Sequence, residues 1–297
     1  MHSQSPVSVD PTESSSRPSG PEDAAAFQRR METAYTDDYL RIMGIEHYRQ
    51  GFFSPEVAPD DLPRALDRHV EVLLDPLQLG PQHTVLELGC NVGATTVQVV
   101  RRYGCTVHAI DIVPDMARAA ADNVRRQGLA ERAVVAEMDA RRLQYPDAMF
   151  DAVIGIEVVN HFTDKAACLR EVFRVLKPGG RLVLAEYLLQ RSAPRLGASL
   201  VRMILESDNL EDAGSYRNYL AAAGFDPPQI SDHSLATVVA TTRAFRSERY
   251  ARRIRAYCVV YFGVVFAMVM PALYRLWEAM FRRGHAQYVF VYAQRPA

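Results

Sequence analysis

Glu87-Leu88-Gly89-Cys90-Asn91-Val92-Gly93 sets a carboxylate and two glycines where a short apolar run meets a helix-forming stretch. Glycine there lets backbone approach a ligand closely and adopt angles that other residues avoid. The helix that follows presents N–H groups with no partner inside the helix. In dinucleotide folds that surface holds a pyrophosphate. Asn91 takes the middle position of a Gly-x-Gly-x-Gly loop, and the loop does not match Gly-x-Gly-x-x-Gly. The loop alone therefore fits either nucleotide binding or a tight strand-to-helix turn. Asp111 falls about twenty residues later, where a carboxylate can accept hydrogen bonds from both ribose hydroxyls. Asp139, followed by Ala140, is placed either to meet an adenine amino group or to sit solvated in a loop. Together these residues suggest an adenosine-type ligand.

Alternating strands and helices must position them. Thr84–Leu88, Val107–Asp111, Ala133–Met138, Phe150–Gly155 and Arg181–Glu186 read as strands. Thr95–Tyr103, Met116–Gln127 (ending at Gly128, a suitable C-cap) and Lys165–Leu176 read as helices, the last stopped by Pro178-Gly179-Gly180. Short connections between such elements argue for a parallel, doubly wound α/β sheet. Sheets of this kind bind ligands beyond the carboxyl ends of their strands, which is where Gly89, Asp111, Asp139 and Glu157 fall.

Upstream, Met1 to about Ala25 is rich in Ser, Pro and Glu without an apolar core, and is expected to be a disordered tail. Residues 26–80 are expected to form a helical lid. Within it, a helix opening near Pro63 would carry Ala65, Leu66, Val70, Leu73 and Leu74 on one face. The formal net charge of −1 argues against a general nucleic-acid partner. Cys90, Cys105, Cys168 and Cys258 form no Cys-x-x-Cys pair and have no adjoining His cluster, so neither a metal site nor a disulfide framework is expected. Reduced, buried thiols in a cytoplasmic protein are the expectation.

Five ordered segments resemble the class I S-adenosylmethionine-dependent methyltransferases. They are Val85–Gly93, Ala109-Ile110-Asp111, Met138-Asp139-Ala140, Phe150-Asp151-Ala152-Val153 and Val175-Leu176-Lys177-Pro178-Gly179-Gly180. Within that superfamily the likeness is to the sterol, tocopherol and quinone group, which includes terpenoid-tailoring enzymes. His47-Tyr48-Arg49-Gln50-Gly51-Phe52-Phe53 looks like that group's N-terminal aromatic segment, with one extra residue before Gly51. Ile156–His161 looks like its segment after the fourth strand.

The resemblance implies a Rossmann-like, mostly parallel seven-stranded sheet, with a core over 81–190 and cap helices plus the last strands over 191–297. It implies S-adenosylmethionine as cofactor. Glu87 belongs to the cofactor loop, and Gly89 and Gly93 would pack against the methionine and ribose portions. Asn91 would reach the cofactor carboxylate and Asp111 the ribose. Met116 or Ile112 would cover the adenine, Asp139 and Ala140 would read its edge, and Glu157 and Val158 would border the sulfonium. Glu157 and His161 are the catalytic candidates, as bases for an oxygen or nitrogen acceptor. With an alkene acceptor, Glu157 and the aromatic faces of Tyr39, Tyr48 and Phe52 would stabilise a carbocation.

After the fifth strand, 191–214 is expected to join a cap. A helix over 216–223 precedes a sixth strand over Gln229–His233, and Gln287–Ala293 is expected to be the seventh. The insertion between them is uncharged from Tyr257 to Tyr274. Pro271 interrupts it and the chain must return to the sheet, which disfavours a membrane span. The main expectation is a buried helix lining a lipophilic pocket, with Tyr257 and Tyr261 facing the substrate. The other readings are a peripheral membrane contact or a homo-oligomer interface. A basic run from Arg243 to Arg255 reads as a solvated face or an anion contact.

The expected function is C-methylation of an isoprenoid or prenylated metabolite. The alternatives are O- or N-methylation of a quinone, phenol or polyketide, and a cofactor-binding adaptor without activity.

Overall fold

The computed structural model describes residues 41–45 and 49–297. Tyr39, Tyr48 and the expected tail lie outside them. β1 (Thr84–Leu88) carries Val85, Leu86 and Leu88, all buried, as a strand covered on both faces requires. β2 (Thr106–Asp111) and β3 (Ala133–Glu137) pair beside it in parallel. On its other side lie β4 (Phe150–Ile156) and β5 (Leu176–Leu189), also parallel. β6 (Gln229–Asp232) and β7 (Ala286–Gln294) complete the sheet, β7 running antiparallel to both β5 and β6. The order is β3-β2-β1-β4-β5-β7-β6, the seven-stranded, mostly parallel arrangement expected. The chain winds outward from β1 to β3 and then crosses to β4. The crevice at the carboxyl ends of β1 and β4 is thus the switch point where ligands bind in doubly wound sheets.

Alternate strand residues divide the core. Val85, Val107, Ile154, Val183 and Phe290 pack beneath α1 (Leu62–Leu74), α2 (Ala94–Tyr103) and α3 (Pro114–Arg126). Leu86, Ile110, Val153, Leu184 and Val289 pack beneath α4 (Lys165–Val175) and, after α5 (Arg195–Leu205), α6 (Ala213–Ala223). α1 has the expected apolar face, and the Asp61 carboxylate accepts the Arg64 N–H at its start. Gly128 ends the turn after α3 at φ +70°, as its position implied. The helix before β5 stops at Val175, but β5 runs well beyond Arg181–Glu186 at both ends, with a register shift against β4 between Phe150 and Ala152.

The insertion departs from expectation. A π-helical turn (Leu235–Val239) leads into α7 (Ala240–Phe245) and α8 (Glu248–Arg282). Gly263 breaks α8 with φ 83° and ψ 166°, angles suited to glycine alone. The apolar stretch is therefore two helical segments. Cys258, Ala267 and Trp277 turn inward, while Val260, Val264, Val265 and Met268 are exposed. The expectation that this whole stretch is buried is corrected on that ground. A third apolar cluster joins the lid to it through Met43, Ile45, Leu62, Leu66, Tyr250 and Ile254. All four cysteines are buried and unpaired.

Candidate functional site

A cavity of about 550 Å³ opens at the carboxyl ends of β1, β2 and β4. Three of its walls follow from strand ends. Past β1, Gly89 turns with φ +65°, and a Cβ there would lie 2.6 Å from Val158 Cγ2. Asn91 also has positive φ, 48°. Asn is among the few residues that tolerate this conformation, which explains how it stands in for glycine. Its Oδ1 accepts the Val92 N–H at 2.7 Å.

Past β2, the Asp111 carboxylate accepts N–H groups from Asn91 and Val113, each at 2.9 Å. Burial pushes its pKa up, and these N–H groups pull it down. It thereby fixes the β1 loop while lining the cavity.

Past β3, Asp139 is forked by Arg141, with Nη2 at 2.8 Å from Oδ2. That contact holds the carboxyl below its ordinary value. Met138, Ala140 and the half-exposed Ile112 make an apolar slot around it.

Beneath the β1 loop lies Glu87, buried and hydrogen-bonded by Thr96 Oγ1 at 2.5 Å. Burial raises its pKa to about 7, against the pull of that hydroxyl and of Arg49. Arg49 donates to Thr95 Oγ1 at 2.7 Å and Gln98 Oε1 at 2.9 Å, and burial lowers its pKa to about 10. Arg49 Nε is buried with no hydrogen-bond partner among the described residues. A buried donor left unpaired costs stability, so this end of the cavity is suited to a ligand carboxylate.

The fourth wall follows β4. Glu157 adopts φ 56°, a conformation costly for a long side chain. Its Oε1 accepts the Gln50 N–H at 3.0 Å and the Tyr288 hydroxyl at 2.8 Å. Tyr288 in turn contacts His69 Nε2 at 3.1 Å. Burial raises the Glu157 pKa, and its two donors and Arg49 oppose the shift. Glu186, within β5, accepts N–H groups from Val159 at 2.8 Å and Asn160 at 2.9 Å. It clamps the loop that carries Glu157 and His161. His161 lies at the cavity mouth, accessible to water on one side, and burial and Lys165 hold its pKa below the ordinary value. Beyond it the lining is largely apolar and aromatic, with Phe162, Tyr187, Ile204, Leu205, Phe245 and Trp277 beside the one carboxylate of Glu206.

Of the residues singled out in the sequence, Glu87, Gly89, Asn91, Asp111, Ile112, Asp139, Ala140, Glu157, Val158 and His161 line this one cavity. Gly93, Met116, Phe52, Tyr257 and Tyr261 are not among its lining residues. Gly93 starts α2 against α3, where a Cβ would meet Ala120 Cα at 3.0 Å, so its role is packing. Met116 is buried in α3. Phe52 packs on His233 and Phe290, with ring centres at 5.6 and 6.1 Å. The Tyr257 and Tyr261 rings lie against each other on α8, 4.7 Å between centres. Sequence reasoning missed Arg49, Gln50, Tyr187, Phe245 and Trp277, and behind them Glu186, Tyr288 and His69. Arg49 and Gln50 fall inside the His47–Phe53 segment without having been singled out in it, and Tyr288 is the first of three aromatic residues at alternate positions in the last strand.

The family model described as a methyltransferase domain matches residues 86–184. The chain is 30% identical over 217 residues to the methyltransferase GfsG of Streptomyces halstedii, covering 71% of this chain and 78% of that one. It is 30% identical over 219 residues to the 27-O-demethylrifamycin SV methyltransferase of Amycolatopsis mediterranei, covering 72% and 78%. Among solved structures, the geranyl diphosphate C-methyltransferase of Streptomyces coelicolor shares the fold with TM-score 0.72 and 20% identity, over 94% of this chain and 100% of that one.

Proposed function

Because the chain belongs to the class I S-adenosylmethionine-dependent methyltransferases that act on small molecules, we propose that its acceptor is a hydroxyl of a large hydrophobic metabolite of the polyketide kind. The observation that carries this reading is the pairing, in one cavity, of a half-buried Glu157 whose pKa is raised by desolvation with a largely apolar, aromatic wall. The 27-O-demethylrifamycin methyltransferase, whose name gives an oxygen acceptor, aligns with most of this chain and supports the same choice.

The cofactor end fits its ligand. Gly89 leaves no room for a side chain, and the buried Nε of Arg49 lacks a partner. In this reading Arg49, Asn91 and Glu87 meet the amino-acid end of S-adenosylmethionine. Asp111 accepts from the ribose hydroxyls, and Ile112, Met138, Asp139 and Ala140 enclose the adenine. When bound, S-adenosylmethionine supplies the electrophilic methyl group.

The chain's own residues then act on the acceptor. Oε1 of Glu157 is held by Gln50 and Tyr288, and Oε2 accepts from no group among the described residues. Oε2 would take the proton of the acceptor hydroxyl, so that its oxygen could receive the methyl group that bound S-adenosylmethionine would give up from sulfur, the neutral thioether being the leaving group. A raised pKa makes the ionised carboxylate a stronger base. Tyr187, Phe245 and Trp277 hold the acceptor and exclude water, which strengthens the electrostatics inside. Positioning of this kind can contribute on the order of 7–11 kcal/mol.

A second reading is C-methylation of an isoprenoid, favoured by the aromatic faces that would stabilise a carbocation. The described residues contain no group of three or more His, Cys, Asp or Glu suited to a metal, so they offer no carboxylate cluster for a cation-bound diphosphate.

The test supplies methyl-deuterated S-adenosylmethionine and separated lipophilic and aqueous extracts of the source cells. A labelled O-methyl ether in the lipophilic fraction supports the proposal. Label on carbon of an isoprenoid selects the second reading, and label only in aqueous products refutes both.

A further inference from the structure

From Arg243 to Arg283 the chain holds nine arginines against two acidic residues, Glu248 and Glu278, in a protein of formal net charge −1. Positive charge is thus concentrated on the insertion. Part of it is used internally: Arg246 pairs with Glu278 at 3.2 Å, and Arg253 donates to the Met43 carbonyl at 2.9 Å. Arg249, Arg252 and Arg255 remain exposed on the first segment of α8, with no ion pair among the described residues.

Directly after them comes an outward apolar stripe. Val264, Val265, Met268 and Val269 are 58%, 77%, 68% and 45% exposed, and their spacing puts them on one side of the second segment. Val260, 70% exposed, adds another outward apolar side chain just before the break at Gly263. Soluble monomers rarely leave such a run of large apolar side chains in water without a use for it. The opposite face is already committed, because Ala267, Trp277, Met280 and Phe281 are buried. The 20-residue stretch Gly263–Arg282 has the length and hydropathy of a span. Its buried C-terminal end feeds β7 straight back into the sheet, so the segment is held along the surface.

We propose that this face of α8 docks on an anionic lipid bilayer, the stripe entering the interface and the arginines meeting headgroup phosphates. Guanidinium and phosphate are geometrically matched, and apolar insertion combined with basic charge is how interfacial helices hold to anionic membranes. The charge is what selects a bilayer over a second copy of the chain, since two copies would bring like-charged arginines together. α7 and α8 also supply Phe245 and Trp277 to the cavity wall, so docking would set the acceptor end close to a lipid phase.

The test is flotation of the full chain with vesicles of equal parts phosphatidylcholine and phosphatidylglycerol, beside vesicles of phosphatidylcholine alone. Preferential binding to the anionic vesicles is expected. The double substitution Val265→Asp/Met268→Asp is expected to weaken it about ten-fold or more, and Arg252→Gln/Arg255→Gln several-fold. In both variants the calorimetric affinity for S-adenosylmethionine should be unchanged, which separates lost docking from lost folding. Failure of the parent chain to float with anionic vesicles overturns the proposal. So does binding that survives Val265→Asp/Met268→Asp, or a stable dimer in light scattering that this substitution dissociates.

Discussion

The hydroxyl of Tyr288, on β7, donates a 2.8 Å hydrogen bond to Oε1 of Glu157 across 131 residues of sequence. It ties the loop after β4 to the antiparallel strand two places away in the sheet. The bond favours the ionised carboxylate, while burial opposes it.

Glu157→Gln should therefore lower kcat by about 10²–10⁴-fold while leaving S-adenosylmethionine affinity nearly unchanged. Tyr288→Phe removes a donor that stabilises the charge, so the Glu157 pKa should rise further. The acidic limb of the kcat/KM profile should move to higher pH. A profile that does not move, or moves down, would remove Glu157 as the base.

Asp111→Ala should weaken S-adenosylmethionine binding about ten- to hundred-fold, the equivalent of one or two hydrogen bonds to a charged group. Part of the loss would come from releasing the Asn91 N–H, and hence the β1 loop. Isothermal calorimetry reads this directly, and an unchanged Kd refutes the ribose role.

Gly89→Ala combines a positive φ with a Cβ placed 2.6 Å from Val158. The backbone conformation alone costs a non-glycine residue about 1–2 kcal/mol. Reduced thermal stability and weaker cofactor binding are expected. Adding Val158→Ala should relieve the contact and recover part of the loss, since the φ penalty persists. Full recovery would show that φ carries no cost here.

Glu87 makes stability depend on pH. Its folded pKa of about 7 lies above the ordinary value of 4.5. Its contribution is thus fully present below the unfolded value and is lost as pH rises through about 7. The loss is of order 3 kcal/mol. Glu186, also raised to about 7 by burial, acts in the same direction. In Glu87→Gln, denaturant melts between pH 5 and 8 should show a shallower decline than the parent, with the Glu186 share remaining. An identical slope would count against the buried-carboxylate account.

The strand-end loops of the proposed cofactor half were largely legible because their determinants are local. β1 falls on Thr84–Leu88, the run read from its apolar residues, and Asn91 takes a left-handed turn where the loop pattern calls for glycine. The proposed acceptor half was not, and neither was Arg49 at the cofactor end, because these residues converge from remote positions. Arg49 reaches Thr95 and Gln98, and Tyr288 reaches Glu157 and His69. No spacing along the chain reports such pairs. Residues 257–274 were legible as apolar, but apolar composition does not say which side of a helix meets water. The single glycine at position 263 decides that the stretch bends.

The insertion leaves and rejoins the sheet at one point. The His233 N–H donates to the Tyr288 carbonyl at 2.8 Å, and Ser234 Oγ accepts the Tyr288 N–H at 2.9 Å, 54 residues apart. Between these anchors the excursion packs back on the domain, since Trp277, Met280 and Phe281 are buried with Val183 and Tyr187 of β5. Loop closure depends only weakly on loop length, so what limits exchange between relatives is that buried face and not the span. Grafting the exposed side of the excursion while keeping its buried side offers a way to alter the surface of the enzyme with little strain on the strands beneath.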